Sequence, residues 1–324
     1  MAGGGHGTRA VIAALLANAG IAAAKFVGFL ITGSASMLAE SIHSVADSGN
    51  QCLLLLGGRR ARREADESHP FGYGRERYFW AFIVALVLFS LGGAFAIFEG
   101  VEKIRHPHSV ESPAVAIGIL LFAVVLETYS FRTAITEADK IRGDASWWQF
   151  IRRSKNPELP VVLLEDLGAE IGLGIALAAV TATLVTGDAI WDGIGTLAIG
   201  MLLASIAVLL ATEMKSLLLG ETASPEVETA IRAAIGEEAA VDRLIHMRTQ
   251  HIGPDELLIG AKVSFHDGLT VTQLAEAVNR VEANVRGRVP QARMLYIEPD
   301  VVVTDLPADR FVPGNGERSF GEDE

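Results

Sequence analysis

MLAESIHSVADSGNQ, residues 37–51, is the stretch on which the fold turns. His43 and Asp47 stand four residues apart, which places them one turn apart on one helix face. Asn50 and Gln51 follow, and then an apolar run, CLLLLGG, residues 52–58. The surrounding chain of 324 residues is 50% hydrophobic and 20% charged, with a mean hydropathy of +0.34. Soluble domains carry about 25% charge, so the balance is that of a membrane protein. A polar stripe on a helix inside a bilayer is costly and marks function by default. The stretch therefore reads as the inward face of one helix in a membrane-embedded bundle.

Working outward, six segments are long enough to cross about 30 Å of hydrocarbon: Ala10–Thr32, Met37–Gly57, Tyr78–Gly100, Pro113–Phe131, Leu159–Val185 and Ile190–Thr212. The first is longer than the apolar core of a signal peptide and is expected to be retained. Connections two and four together hold twelve Lys and Arg, against two in the other three. Positive-inside asymmetry then puts the even connections and both termini in the cytoplasm. The expected partition is a transmembrane domain over 1–212, a cytoplasmic domain over 213–304 and a disordered acidic tail over 305–324. From Glu213 onward there are 20 acidic and 11 basic residues, most of the net charge of -12. That acidity excludes nucleic acid as a partner. The single cysteine, Cys52, excludes an internal disulfide or a thiolate zinc site.

The soluble part alternates its patterns. Pro225, Glu226 and Glu228 open a helix running through Ile235. Asp242–His251 and Leu257–Phe265 alternate as strands around a Gly253-Pro254-Asp255 turn. Thr270–Val285 has helical spacing, and Arg293–Ile297 reads as a third strand. The order α-β-β-α-β predicts a small ferredoxin-like layer of two helices on three strands.

A second polar stripe lies in the fifth span, VVLLEDLGAE, residues 161–170, where Asp166 and Glu170 repeat the i,i+4 spacing. If the two faces meet, one imidazole and three carboxylates share a point. That donor set suits a divalent cation, and zinc accepts both nitrogen and oxygen. The competing reading is interhelical hydrogen bonding that glues the bundle. Glu165 lies about 100° round the helix from Asp166 and replaces it only in a different register. Lys25, Glu40, Glu99, Glu127 and Asp192 occur singly. Lys25 is a candidate partner of Glu40, and the others are expected to be solvated or paired near span ends.

The run from Gly33 to Gln51, GSASMLAESIHSVADSGNQ, resembles the second-helix signature of the cation diffusion facilitators. DESHPFGYGRER, residues 66–77, is similar to their cytoplasmic loop motif, and the likeness extends from Ala10 to about Val303. Leu163-Leu-Glu-Asp166 is similar to the group typified by zinc transporter nine. The resemblance implies a homodimeric exporter of divalent metal working by exchange with protons, with no permanent cofactor. It carries the transport site onto His43, Asp47, Asp166 and Glu170, where Glu170 replaces the commoner Asp. A second metal site of some members would fall on Asp66 and His69, but Tyr73 stands in place of a further His, and a turn with an aromatic plug is the alternative. In the tail, Tyr296, Ile297 and Glu298 replace the metal-sensing residues, while His246, His251 and His266 lack ligand spacing.

Metal needs deprotonated ligands, so loading releases protons and protonation ejects the ion. His43, with an unperturbed pKa of about 6.5, suits that exchange. Zinc is the expected cargo, with manganese, iron(II) and cobalt open and magnesium disfavoured. Two rivals of other classes are an intramembrane metallohydrolase, which lacks a His-Glu-x-x-His pattern here, and a metal-sensing scaffold. The short loops and the lack of a transit-like leader point to a bacterial inner membrane.

Overall fold

The computed structural model describes residues 3–32, 35–107 and 113–301; it does not describe the side chains of Glu40 and His43. The proposed tail over 305–324 lies outside the described residues. The chain divides into two units, Met1–Leu219 and Gly220–Glu324.

The first unit is a helical bundle. Its long elements are α1 (Gly3–Thr32), α2 (Ala35–Arg60), α3 (Glu76–Val87) continued through a π-helical segment (Leu88–Ala94) into α4 (Phe95–Arg105), α5 (Pro113–Arg142), α7 (Glu158–Thr186) and α8 (Ile190–Leu219). Among the described residues these make six long rods, matching in number the spans that the sequence predicts. Five are long and apolar enough to cross a membrane on composition alone. The sixth, α2, has 26 residues, about 39 Å at 1.5 Å per residue. Its polar face lowers its average, and that face is turned inward: Ser41, Ser44, Asn50 and Gln51 are all buried.

Several ends differ from the predicted spans. α5 runs on to Arg142, and its last turns carry Glu137, Asp139 and Lys140; α8 runs on to Leu219. Helix hydrogen bonding continues past the point where hydropathy drops, because the polar side chains there pair or face water: Glu137 is buried against Lys140, and Asp139 pairs with Arg142 near the surface. The fourth connection also holds a short helix not foreseen, α6 (Trp147–Arg153). It is opened by a capping box in which Ser146 accepts from the Gln149 amide and Gln149 reaches back. The π-helical segment contains Gly92 and Gly93, and hydropathy gives no sign of it.

Lipid offers no hydrophobic drive between helices, so close packing must come from small residues. Along α4 and α8 they alternate across the seam. A Cβ added at Gly100 would lie 2.5 Å from Leu197 N, and one at Gly200 would lie 2.6 Å from Ile97 N. At the same pair, Lys103 Nζ bridges Glu99 (3.3 Å) and Asp192 (3.1 Å), so these two lone acids are indeed paired.

The second unit has the predicted order: α9 (Pro225–Gly236), β1 (Val241–Gly253), β2 (Glu256–Phe265), α10 (Val271–Arg288) and β3 (Met294–Pro299). β2 is central, antiparallel to β1 and parallel to β3. Strand alternation sends Leu257, Ile259, Ala261 and Val263 to one face, under Ile231 and Ile235 of α9 and Val281 and Val285 of α10. Ser224 caps α9 with Pro225 in its first turn, and Thr270 and Gln273 form the capping box of α10. This is the small α+β layer read from the sequence.

Candidate intramembrane cation site

α7 brings its acids inward at the level of the α2 stripe. Asp166 is 1% exposed, and Ser130 of α5 donates its hydroxyl proton to Asp166 Oδ2 at 2.7 Å. One turn on, Thr128 of α5 donates to Glu170 Oε1 at 2.8 Å. Glu170 Oε2 is buried with no donor among the described residues. Asp47 of α2 is half-buried, within electrostatic reach of Glu165 and Glu127. The His43 side chain lies outside what the structure describes. Among the described residues no three His, Cys, Asp or Glu side chains converge tightly enough to hold an ion as they stand. The acids therefore surround a region without closing on a point.

Glu165 is engaged differently from its neighbour. Asn50 Nδ2 donates to its Oε1 at 3.1 Å and Gln51 Nε2 to its Oε2 at 2.9 Å. Gln51 Oε1 in turn accepts from Asn18 of α1 at 3.4 Å. Both oxygens of Glu165 are thus taken by amides of α2, in a chain that ties α1, α2 and α7 together. Sequence spacing separated Glu165 from Asp166 by angle but gave no hint of these partners.

The sequence reading placed Glu127 near a span end, solvated or paired. In the structure it lies well inside the 30-residue α5 and is 6% exposed. It stands within electrostatic reach of Asp166, Asp47, Glu170 and Lys25. α5 as a whole was missed as a wall of the site. Its signals are one isolated acid and two hydroxyls, without the repeated i,i+4 pattern that flagged α2 and α7. Lys25 Nζ of α1 donates to Ser44 Oγ at 3.1 Å; its expected partner Glu40 is among the side chains not described.

In the loop after α2, Asp66 and His69 do come together, with His69 Nδ1 3.6 Å from Asp66 Oδ1. Asp66 Oδ1 accepts from the Ser68 amide (3.0 Å), the Ser68 hydroxyl (2.8 Å) and the His69 amide (2.8 Å). Its Oδ2 accepts from the Tyr73 hydroxyl at 2.6 Å. Tyr73 stacks on His69 at 4.3 Å, and the Arg63 guanidinium lies 4.4 Å from the Tyr73 ring centre. The Tyr73 bond above all, then those from Ser68 and His69, holds the Asp66 carboxyl well below the usual range, and donation to that carboxylate pushes the Tyr73 phenol up. In the second unit, His246 Nε2 accepts from Arg248 Nε at 3.0 Å and His251 is buried. The His266 amide donates to the Ala240 carbonyl at the end of β2.

A bundle of long apolar helices with carboxylates among them, followed by a small α+β unit, is the architecture of a polytopic membrane protein. The chain belongs to the cation efflux family, whose transmembrane-domain model matches residues 11–219. It is 32% identical over 254 residues to the human mitochondrial proton-coupled zinc antiporter SLC30A9, covering 77% of this chain and 44% of that protein. It is 32% identical over 284 residues to metal tolerance protein C4 of Arabidopsis thaliana, covering 86% of this chain and 61% of the relative. Magnetosome protein MamB of Paramagnetospirillum magneticum is 26% identical over 283 residues, 83% of this chain and 86% of the relative. The chain thus spans about half the length of the antiporter it matches.

Proposed function

We propose that this protein exports divalent cations, zinc first, in exchange for protons, and that the cation is held among His43, Asp47, Asp166 and Glu170. The observation that carries the reading is the pair Asp166 and Glu170. Both lie on α7 inside a membrane bundle, next to the Glu165 that the α2 amides bind, each held by one hydroxyl of α5 and, among the described residues, by no cation at hydrogen-bond distance. Carboxylates in low dielectric must be neutralised by protons or by positive charge. A divalent ion and protons can then occupy the same oxygens alternately, which is exchange. His43 on the same α2 face as Asp47 adds a nitrogen donor and favours zinc over a hard ion. Manganese, iron(II) and cobalt are the alternative cargoes. Asp66 and His69 are read as a braced turn, because a metal there would have to displace the Tyr73 and Ser68 hydroxyls.

In this reading the protein works as a homodimer in a bacterial inner membrane, with both termini and the Arg-rich connections in the cytoplasm. The zinc antiporter among the relatives supports the choice of first cargo. The test is flux of zinc, manganese, iron(II) and cobalt into proteoliposomes with internal pH recorded, wild type beside Asp47→Asn. Zinc flux opposed by proton movement, both lost in the variant, is the expected outcome. Flux of none of the four metals through folded, oriented protein would overturn the exporter reading.

A further inference from the structure

Glu127 occupies α5 one residue before Thr128 and three before Ser130, the two hydroxyls that fix Glu170 and Asp166. It is 94% buried by complement of its 6% exposure. Among the described residues no hydrogen-bond donor is seated on its carboxylate. The neighbouring acids of α7 each have at least one: buried Glu165 has two amides, and buried Asp166 and half-buried Glu170 have a hydroxyl each. What lies within electrostatic reach of Glu127 instead is charge: Asp166, Asp47, Glu170 and Lys25. Lys25 supplies one positive charge, and its Nζ already donates to Ser44. One ammonium does not offset four carboxylates in a low-dielectric interior, where an uncompensated ion is the most costly group a bundle can bury.

We infer that Glu127 is a further carboxylate of the cation site, contributed by α5, so that the site is built on three helices and not on two. The inference rests on the reading of Asp47, Asp166 and Glu170 as cation ligands. It changes the chemistry of that site. Four donors, one of them imidazole, suit tetrahedral zinc; a fourth carboxylate raises the oxygen count and makes room for ions that take more oxygen ligands, manganese among them. Glu127 therefore acts as a specificity-determining residue. It also couples α5, which packs between α1 and α7, to the presence of the ion.

The experiment is equilibrium binding of zinc and of manganese to the full chain in nanodiscs, with melting temperature of the metal-free protein measured alongside. The variants are Glu127→Gln, Glu127→Asp, Lys25→Gln, the Lys25→Gln/Glu127→Gln double variant and Asp47→Asn. Glu127→Gln is expected to weaken zinc by about tenfold and manganese by more, on the scale of 10–100-fold for lost metal-site partners. Lys25→Gln is expected not to weaken either. Glu127→Asp keeps the charge but withdraws it by one methylene, and is expected to change the ratio of zinc to manganese affinity. If Glu127→Gln binds both metals as wild type does while Asp47→Asn does not, Glu127 is outside the site and the inference falls. If Glu127→Gln melts early and the double variant restores both stability and affinity, Glu127 is only the counter-charge of Lys25, and it falls again. If Asp47→Asn also binds normally, the underlying site assignment fails, a distinct result. Should Glu127→Gln not fold, an unchanged zinc-to-manganese ratio in Glu127→Asp overturns the inference by itself.

Discussion

Asp166 in the bundle and Glu238 in the C-terminal unit are both covered acids, 1% and 8% exposed, yet they are held in opposite ways. Glu238 is gripped by the fork of Arg280, whose Nε and Nη2 donate to its two oxygens at 3.0 Å each. Asp166 is given a single neutral hydroxyl, that of Ser130. A bidentate guanidinium is a fixed counter-charge that leaves nothing for an external ion to do. A hydroxyl orients a carboxylate without neutralising it, so the charge must come from something that can arrive and leave. The same contrast appears within the bundle. Where Arg77 lies 3.6 Å from Glu158, the acid has a permanent partner; where α5, α2 and α7 meet, acids face one another.

The comparison implies that the C-terminal unit draws its stability from an apolar core of its own, and that the proposed cation site should be insensitive to changes in that core. Ile259, fully buried on the central strand beneath α9 and α10, is the residue to remove. Ile259→Ala should cost the unit about 2–5 kcal/mol, the range for truncating a buried aliphatic side chain. The measurement is the urea midpoint of fragment 220–301 by circular dichroism. Zinc affinity of the full-length variant should stay within about twofold of wild type, since sites without shared partners are nearly additive. A parallel loss of zinc affinity would mean that the two regions do not obey separate rules.

Ser130→Ala sharpens the other side of the contrast. The variant keeps Asp166 but frees its carboxylate to rotate, so zinc affinity should fall by about tenfold, the lower end for lost support of a metal ligand. The metal-free melting temperature should change little, because an alanine methyl leaves only a small void beside Asp166. If Ser130→Ala instead unfolds the bundle with affinity intact, the hydroxyl is packing glue and the neutral-anchor argument is broken.

How far the sequence alone carried differs between the two regions for the same reason. In the C-terminal unit, burial alternates with period two along β2 and with helical spacing along α10, so Leu257, Ile259, Val281 and Val285 announce their own environment. In the bundle, α2 and α7 were legible because pairs of acids and His recur at one-turn spacing. Glu127, Thr128 and Ser130 were not, since isolated hydroxyls are ordinary in membrane helices and a lone acid states no partner. The amides that bind Glu165 lie 114 and 115 positions away. Periodicity reports which face of a helix is wet or buried; it does not report which neighbour that face meets. The π-helical segment at Leu88–Ala94 was hidden too, because its hydrogen-bond shift changes no side chain's polarity.

The smallest expected effect tests whether Glu238 is indeed held by a fixed charge. Hydrogen bonds from Arg280, above all, hold the Glu238 carboxyl below its ordinary value. A group depressed in the fold contributes stability that is present above its unfolded pKa, about 4.3 for Glu, and is lost as pH falls through the folded value. Arg280→Gln removes that contribution. In fragment 220–301 the wild type should therefore exceed the variant in urea midpoint near neutrality. The gap should begin to close below about pH 4.3 and vanish once Glu238 is protonated in both states. His246 complicates the raw curves without altering the difference. Desolvation first, then Arg248, Lys262 and Arg232, push its imidazole below the usual value. Stability is consequently lost as pH falls below about 6.5 in both proteins alike. A gap between wild type and Arg280→Gln that persisted undiminished below the protonation of Glu238 would show that Arg280 stabilises the unit through its packing. Glu238 would then be no better compensated than Asp166.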